Sequence, residues 1–398
     1  MIDPQLNLSP DDEHNTELVA NVHPPEWRNP TPQGRYNLVV LGAGTAGLVA
    51  AAGAAGMGAK VALIERQLMG GDCLNVGCVP SKAVIRSAHA AHDLLTADRF
   101  GVRAGGEVEV DFAAVMERMR HIRAGISPND SAKRFAETYG IDIYFGAARF
   151  VGRDTVEVDG TTLRFAKAVI ATGARATVPP VPGLAEAGFL TNHNVFNLTE
   201  QPRRLAVVGG GPIGAELSQT FARLGTEVTI IERADQFLQR EDRDAAEILK
   251  ASMERDGGGV RLSTSLERVD MVGDDKVLVL KTADGEEKGL SVDTYEVEMA
   301  DVDRAITDGD TEGFLKVHCK KGTDTILGAT IVARRAGEMI SEITTAMVGG
   351  MGLGSFSGVI HPYPTQTEVI RRAADAYNRT KLTPTTAKIL KKWFSWTR

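Results

Sequence analysis

The stretch GGDCLNVGCVPSKA, residues 70–83, places Cys73 and Cys78 with four residues between them in a chain that has three cysteines in all. Two thiols at that separation can ligate a metal, close a small disulfide, or exchange electrons as a dithiol and disulfide. A structural zinc site ordinarily draws on two ligand pairs at shorter spacing, and the other adjacent pair here is His318 and Cys319. A structural staple across so short a loop removes little entropy from the unfolded chain. The redox reading fits the surroundings better. Gly70 and Gly71 permit close approach to a flat cofactor, and VPSKAVIRSAHAAH behind Cys78 reads as a helix whose positive N-terminal end favours thiolate. No metal site is expected.

Two further motifs could bind what such a pair would need. YNLVVLGAGTAGLVAAAGAAGMGAKVALIER, residues 36–66, reads as strand, GxGxxG turn, small-residue helix and second strand. Gly42 makes the turn, Gly44 lets backbone approach a pyrophosphate, and Gly47 lets the helix pack on the strand. Glu65, about twenty residues beyond the turn, is placed to accept hydrogen bonds from a ribose. The pattern recurs in RRLAVVGGGPIGAELSQTFARLGTEVTIIER, with Gly209, Gly211, Gly214 and Glu232 in the same roles. Two nucleotide sites in one chain imply that one redox carrier hands electrons to another.

The remaining elements must hold these motifs. The chain of 398 residues is 43% hydrophobic and 24% charged, long enough for two or three domains. A net charge of -7 argues against nucleic acid as a partner, and three cysteines do not make a secreted disulfide scaffold, so a cytoplasmic location is expected. Residues 1–34 are polar and acidic, with DDEHNTE and several prolines, and read as a flexible arm rather than a signal peptide. The uncharged run 38–59 contains six glycines and reads as strand, turn and helix rather than a membrane span. Short β-rich runs fill 141–183, ending in ATGA and prolines. A hairpin is expected after Glu232, then two antiparallel strands in GFLKVHCKKGTDTILGATIVA and a helix in AGEMISEITTAMVGG. The basic, aromatic AKILKKWFSWTR suits a membrane surface, but a terminal helix tucking Trp393 and Phe394 against the body is the expected reading.

With both glycine motifs and the cysteine motif in view, residues 36–384 resemble the flavin-dependent pyridine nucleotide–disulfide oxidoreductases, the group of dihydrolipoamide dehydrogenase, glutathione reductase and mercuric reductase. GGDCLNVGCVPSK resembles their active-site disulfide, ATGA at 171–174 their flavin-domain hinge, and GGGPIGAE their nicotinamide-binding turn. The resemblance implies an α/β fold: two Rossmann-like, three-layer domains for FAD and NAD(P)H, and a C-terminal α+β dimerisation domain. The matching spans are 35–200 for FAD, 201–288 for NAD(P)H and 289–384 for the interface, followed by a basic tail, 385–398. It implies that Cys78 lies beside the flavin and Cys73 meets substrate. Lys82 lies near the flavin with Glu216 as its partner, and Gly71, Gly146, Thr172 and Gly173 line the cofactor. Electrons then pass from NADH or NADPH to FAD to the disulfide in a homodimer.

Within that family, HPYPTQTE at 361–368 resembles the signature whose His is the acid–base partner of the outer thiol and whose Glu is Glu368 here. The His position is Tyr363. A phenol near pKa 10 is a poor proton acceptor at neutral pH, although His361 lies close by. Mercuric reductases are similar in carrying Tyr there, where it helps bind a metal ion between thiolates. The implied substrate is Hg(II) or a related thiol-bound or disulfide compound, with dihydrolipoamide-dehydrogenase-like chemistry as the alternative. The terminal vicinal cysteines and N-terminal CxxC domain common in mercuric reductases are not found. A second departure is larger. LKTADGEEKG runs straight into LSVDTYEVEMADVDRAI, so on the order of a hundred residues, one small domain's worth, are expected to be absent from the second nucleotide domain. The expected cost is a flavin site short of one wall and two sheets with unpaired edges. The remaining alternative is a non-catalytic, nucleotide-binding remnant.

Overall fold

A computed structural model describes residues 2–103, 105–106, 108–273, 275–282 and 293–381. The chain is mixed α/β and divides into three units. In the first, helix α1 (Glu13–Val22) precedes strand β1 (Arg35–Leu41), α2 (Thr45–Gly56), β2 (Val61–Glu65), α3 (Gly71–Asn75), α4 (Cys78–Leu95), α5 (Phe112–Ile126) and α6 (Ala132–Tyr139). Strands β3 (Asp142–Phe145), β4 (Ala148–Gly152), β5 (Thr155–Val158) and β6 (Thr161–Ile170) complete a six-stranded sheet of order β3-β2-β1-β6-β5-β4. β3, β2, β1 and β6 are parallel, and β4 and β5 add on as antiparallel strands. The runs VVL and VALI are apolar on both faces because both faces of a parallel sheet are covered. One face holds Val40, Leu63 and Ile143; the other holds Tyr36, Val39 and Ile64.

The second unit repeats the start of the first. After a short α7 (Leu184–Ala187) come β7 (Arg204–Val208), α8 (Pro212–Arg223), β8 (Glu227–Ile231), α9 (Arg243–Arg255) and β9 (Gly259–Arg261), with parallel order β7-β8-β9. A hairpin, β10 (Thr264–Val272) and β11 (Asp275–Thr282), follows. In the third unit β12 (Asp293–Glu298), α10 (Asp303–Asp308), β13 (Phe314–Cys319), β14 (Ile326–Ile331), α11 (Ala336–Val348) and α12 (Glu368–Thr380) form an antiparallel sheet backed by helices. The expected hairpin, the strand pair at 314–331 and the helix at 336–348 are all present. An apolar cluster of Val84, Phe112 and Met119 with Phe221 and Val228 joins the first unit to the second through α4, α5 and α8.

The N-terminal segment differs from the flexible arm expected of residues 1–34. Asp12 caps α1 by accepting the Asn15 backbone N–H at 2.8 Å, so the acidic stretch that suggested a linker is a helix start. Leu18, Val19 and Val22 form an apolar stripe that enters the first core together with Leu6. The basic tail from residue 385, with Trp393 and Phe394, and the junction 283–292 lie outside the described residues. No helix among the described residues is long and apolar enough to cross a membrane.

Leu18 has no exposed surface, and truncating such a side chain leaves a cavity. Leu18→Ala is expected to lower stability by about 3 kcal/mol, read by chemical denaturation; an unchanged midpoint would mean that α1 is not docked.

Candidate active site

The first glycine turn joins β1 to α2. Gly42 has φ +98°, and a Cβ there would stand 2.3 Å from the Ala171 carbonyl oxygen and 3.2 Å from Thr172 Cα. A Cβ on Gly47 would stand 1.8 Å from the Gly42 oxygen, so the helix packs on the turn only with glycine there. Gly44 caps α2 without a side-chain hydrogen bond, leaving the N–H groups of the helix end for an anion. Glu65 ends β2, where its two oxygens accept the backbone N–H of Ala43 and of Gln67, each at 2.8 Å. Gly146 follows β3 with φ +143°, donates its N–H to the Glu65 carbonyl at 2.9 Å, and has no room for a Cβ beside Asp159. Thr172 and Gly173, the latter at φ +69°, begin the exposed segment after β6.

The second turn reproduces this geometry. Gly209 has φ +108°, a Cβ on Gly214 would stand 2.2 Å from the Gly209 oxygen, and Gly211 caps α8 with no side-chain bond. Glu232 accepts the N–H groups of Gly210 at 2.6 Å and Ala234 at 2.7 Å. Both helix ends and both carboxylates lie at the carboxyl ends of parallel strands, where nucleotides bind in such sheets. The residues present therefore fit a dinucleotide at each turn.

The cysteine loop meets the first turn backbone to backbone. Gly71 has φ +56°, and a Cβ there would lie 2.6 Å from Gly44 Cα. Cys73 lies on α3 and Cys78 is the first residue of α4; both are thiols, and they are near enough for Cys78 to bear on the ionisation of Cys73. Burial pushes the Cys73 thiol above its ordinary value; the Cys78 side chain and its charge add to the rise, and the Thr45 hydroxyl opposes it. Lys82, one turn into α4, reaches across to α8 and donates to Glu216 Oε2 at 2.6 Å. This pair is half exposed and so adds little stability. It fixes a cation beside the cysteine helix.

The structure does not bring Tyr363 and Glu368 to this cluster within one chain. The exposed Tyr363 hydroxyl donates to Asp303 Oδ2 at 2.7 Å, which holds the phenol above its ordinary value. Glu368 opens α12, buried, accepting from Arg371 at 2.9 Å and Arg372 at 3.4 Å. His361 pairs through Nε2 with Glu342 at 3.0 Å. All of these partners belong to the third unit. Among the described residues no group of three or more His, Cys, Asp or Glu side chains is arranged to hold a metal ion.

Sequence reasoning missed several contributors. Thr45 lies inside the first GxGxxG; Arg175 donates to Gln67 Oε1 at 3.1 Å and ties the segment after β6 to the loop before Cys73. Arg123 is buried on α5 and donates to the Asn75 carbonyl, between the two cysteines, at 2.8 Å. A signal for it existed: Met116, Met119, Arg120 and Arg123 follow helical spacing, so both arginines fall on an apolar stripe.

With the geometry in place, comparison with known proteins is informative. The family described as Pyridine nucleotide-disulphide oxidoreductase matches residues 36–300, and its dimerisation domain matches 280–374. The chain is similar to a mercuric reductase of Serratia marcescens, 32% identical over 363 residues, covering 86% of this chain and 76% of that protein. It is also similar to a dihydrolipoyl dehydrogenase of Thermus scotoductus, 26% identical over 466 positions, covering 86% of this chain and 98% of that protein. In fold it is similar to LpdA of Mycobacterium tuberculosis, with a TM-score of 0.74 at 19% identity, covering 85% of this chain and 99% of that one.

The raised Cys73 thiol has a consequence for stability. A group whose folded pKa exceeds its unfolded value contributes stability that is full below the unfolded value and is lost as pH rises through the folded one. The dithiol protein is therefore expected to lose stability from about pH 8.5 upward by more than Cys73→Ser does. Melting temperatures of both reduced proteins across that range test this; parallel curves would refute it.

Proposed function

Because the chain belongs to the pyridine nucleotide-disulphide oxidoreductases, we propose that it is a mercuric-reductase-like enzyme of that family, reducing Hg(II) or a related thiol-bound or disulfide substrate at Cys73 and Cys78. The family binds FAD and NAD(P)H. When bound, FAD supplies the two-electron carrier between pyridine nucleotide and thiols. The observation that carries the reading is the pair of neighbouring thiols on a loop whose Gly71 meets the Gly44 backbone of the first glycine turn, with the Lys82–Glu216 pair one helical turn beyond Cys78.

The roles follow from chemistry at each position. The α2 end at Gly44 takes pyrophosphate charge and the fixed Glu65 carboxylate takes ribose hydroxyls, so FAD is held at the first turn. Gly146, Thr172 and Gly173 border the same site. Gly209, Gly211, Gly214 and Glu232 do the same for the nicotinamide coenzyme. Glu232 is locked at the end of β8 by two N–H bonds and meets a 2′-phosphate as a like charge, so NADH is the coenzyme this carboxylate favours, while the exposed Arg233 beside it is the group that would suit NADPH. Lys82 presents its ammonium, oriented by Glu216, to the cofactor side of α4. Cys73 is the outer thiol and Cys78 the inner. The Thr45 hydroxyl bonds Cys73, so the charged form of that sulfur has a donor as its proton leaves.

Tyr363 and Glu368 act across a homodimer. The dimerisation domain supports this assembly, since a second copy can bring its third unit to a cysteine pair that lacks these groups within its own chain. Tyr363 stands where a proton-accepting His would favour dithiol substrates, and with its phenol raised still less of it is ionised and able to accept a proton at neutral pH. That favours a soft metal ion held between thiolates over dihydrolipoamide-type turnover.

A second reading has an observation of its own. Among the described residues β6 pairs with β5 only over Thr161–Arg164, and β7 is an edge strand. Ile170 and Val208 are 68% and 51% exposed. The 466-position alignment is longer than this chain of 398 residues, which supports a long internal stretch in the relative without a counterpart here. A second nucleotide domain shortened in this way suits a remnant that binds nucleotide without turnover.

The visible spectrum of the purified protein, before and after anaerobic NADH and then with Hg(II), separates the two. The enzyme reading expects a yellow protein that bleaches with NADH, recovers on adding Hg(II), and loses Hg(II)-dependent NADH oxidation by about a thousandfold or more in Cys73→Ser and Cys78→Ser. A protein that stays colourless with excess FAD would defeat it. The ratio of kcat/KM for NADH over NADPH is expected to exceed about ten; a reversed ratio would remove the role given to Glu232.

A further inference from the structure

We infer that helix α1, which precedes the family-matched residues, acts through Asn15 and the buried Arg123 as a positioning device for the cysteine loop. The path is continuous. Asn15 Oδ1 accepts from Arg123 Nη2 at 2.6 Å, and Arg123 Nη1 donates to the Asn75 carbonyl at 2.8 Å. Asn75 stands between Cys73 and Cys78, and its side-chain amide donates to the carbonyls of Met69 at 3.0 Å and Gly71 at 2.8 Å. One side chain thus ties the start of the loop to its middle. A second strand of contact runs from the end of α1: the Val22 carbonyl accepts the Met69 N–H at 3.1 Å, and His23 Nδ1 meets the Gln67 carbonyl.

The physical case rests on burial. Asn15, Arg123 and Asn75 are 0%, 1% and 3% exposed. Burial pulls the Arg123 pKa down to about 10, so the group stays a cation at neutral pH in a site that disfavours charge. Among the described residues its Nε is buried without a partner, and Asn15 and Asn75 are the two acceptors of the guanidinium's hydrogen bonds. A buried cation deprived of one acceptor must recruit water or pull on the other. The other is the backbone of the loop that carries both thiols. That loop is soft by composition, with Gly70 and Gly71 both at positive φ, so its geometry depends on what grips it. Asn15 and Arg123 touch neither sulfur and are positioning residues.

This inference rests on the reading of Cys73 and Cys78 as the reactive pair, but its test does not depend on turnover. The full-length protein, reduced with dithiothreitol, is alkylated with iodoacetamide between about pH 6 and 10, and modification of each cysteine is followed by peptide mass spectrometry. Asn15→Leu removes the acceptor and is expected to speed alkylation of Cys73 at neutral pH by about tenfold and to move its pH profile to lower pH. Asn15→Asp keeps an acceptor oxygen and is expected to restore both to within about twofold of the unaltered protein. Leu18→Ala loosens the same helix without touching the hydrogen bonds, and is expected to leave the profile in place. Should Asn15→Leu fail to fold, Asn15→Ser against Asn15→Asp makes the same comparison. Equal rates in Asn15→Leu and the unaltered protein, or an equal shift in Leu18→Ala, would overturn the inference. A colourless protein inert to NADH and Hg(II) would instead strike the proposed function and leave this comparison standing.

Discussion

Two pieces of backbone meet in this protein with nothing between them, at Gly44 and Gly71. A Cβ on Gly71 would lie 2.6 Å from Gly44 Cα, well inside contact distance, and the φ of +56° there also resists any side chain. That approach brings the free N-terminal end of α2 and the two thiols into one small region. The rest of the site is arranged from there. α3 and α4 leave the contact with Cys73 and Cys78 at their starts, α4 carries Lys82 to Glu216 on α8, and Thr45 at the first turn of α2 reaches the Cys73 sulfur. A helix end free to take an anion and a thiol pair are thereby brought together by main chain at one contact, and the side chains that grip the loop set the rest of its geometry.

The duplicated turns show how a carboxylate prepares such a site before any ligand arrives. Glu65 and Glu232 each accept one N–H from the middle of their glycine turn and one from the residue two positions further on. Each oxygen keeps lone-pair capacity, so the carboxylate can still accept ribose hydroxyls while its orientation is already set. The turn is stabilised by the residue to which the proposed function assigns ribose recognition. This double use explains why a Glu about twenty residues beyond the glycines accompanies both turns.

What was legible in the sequence follows the range of the forces involved. The glycine turns, the cysteine loop and the strand and helix that flank each are set by neighbours in the chain, so spacing alone located them. The Lys82–Glu216 pair was anticipated only through resemblance, since 134 residues separate its members. Residues 1–34 were misread because Asp12, Glu13 and Glu17 give a helix start the composition of a linker, while the stripe Leu18, Val19 and Val22 is too short to stand out. Arg123 and Asn75 were illegible as a pair for the same reason as any long-range hydrogen bond: each is ordinary in its own stretch. Tyr363 was found by motif, but its partner Asp303 opens α10, sixty residues earlier, and changes its acidity in a way no local pattern reveals.

The open strand edges have a definite location relative to the site. Among the described residues β6 beyond its pairing with β5, and the edge of β7 away from β8, are unpaired, and beside β7 a cavity of about 1110 Å3 is lined by Leu205, Val207, Phe189, Val269 and Leu278. Apolar parallel edges of this kind are normally covered, because unpaired N–H and C=O groups beside apolar side chains invite association. The turn that meets the thiol loop joins β1 to α2, and β1 is paired on both sides, with β2 and with β6; α4 is tied to the second unit by the Phe112, Met119 and Phe221 cluster rather than through either edge. Loss of a strand beside β6 or β7 would therefore thin the walls around the cofactors and leave the thiol pair, its glycine turn and its Lys82–Glu216 support in register.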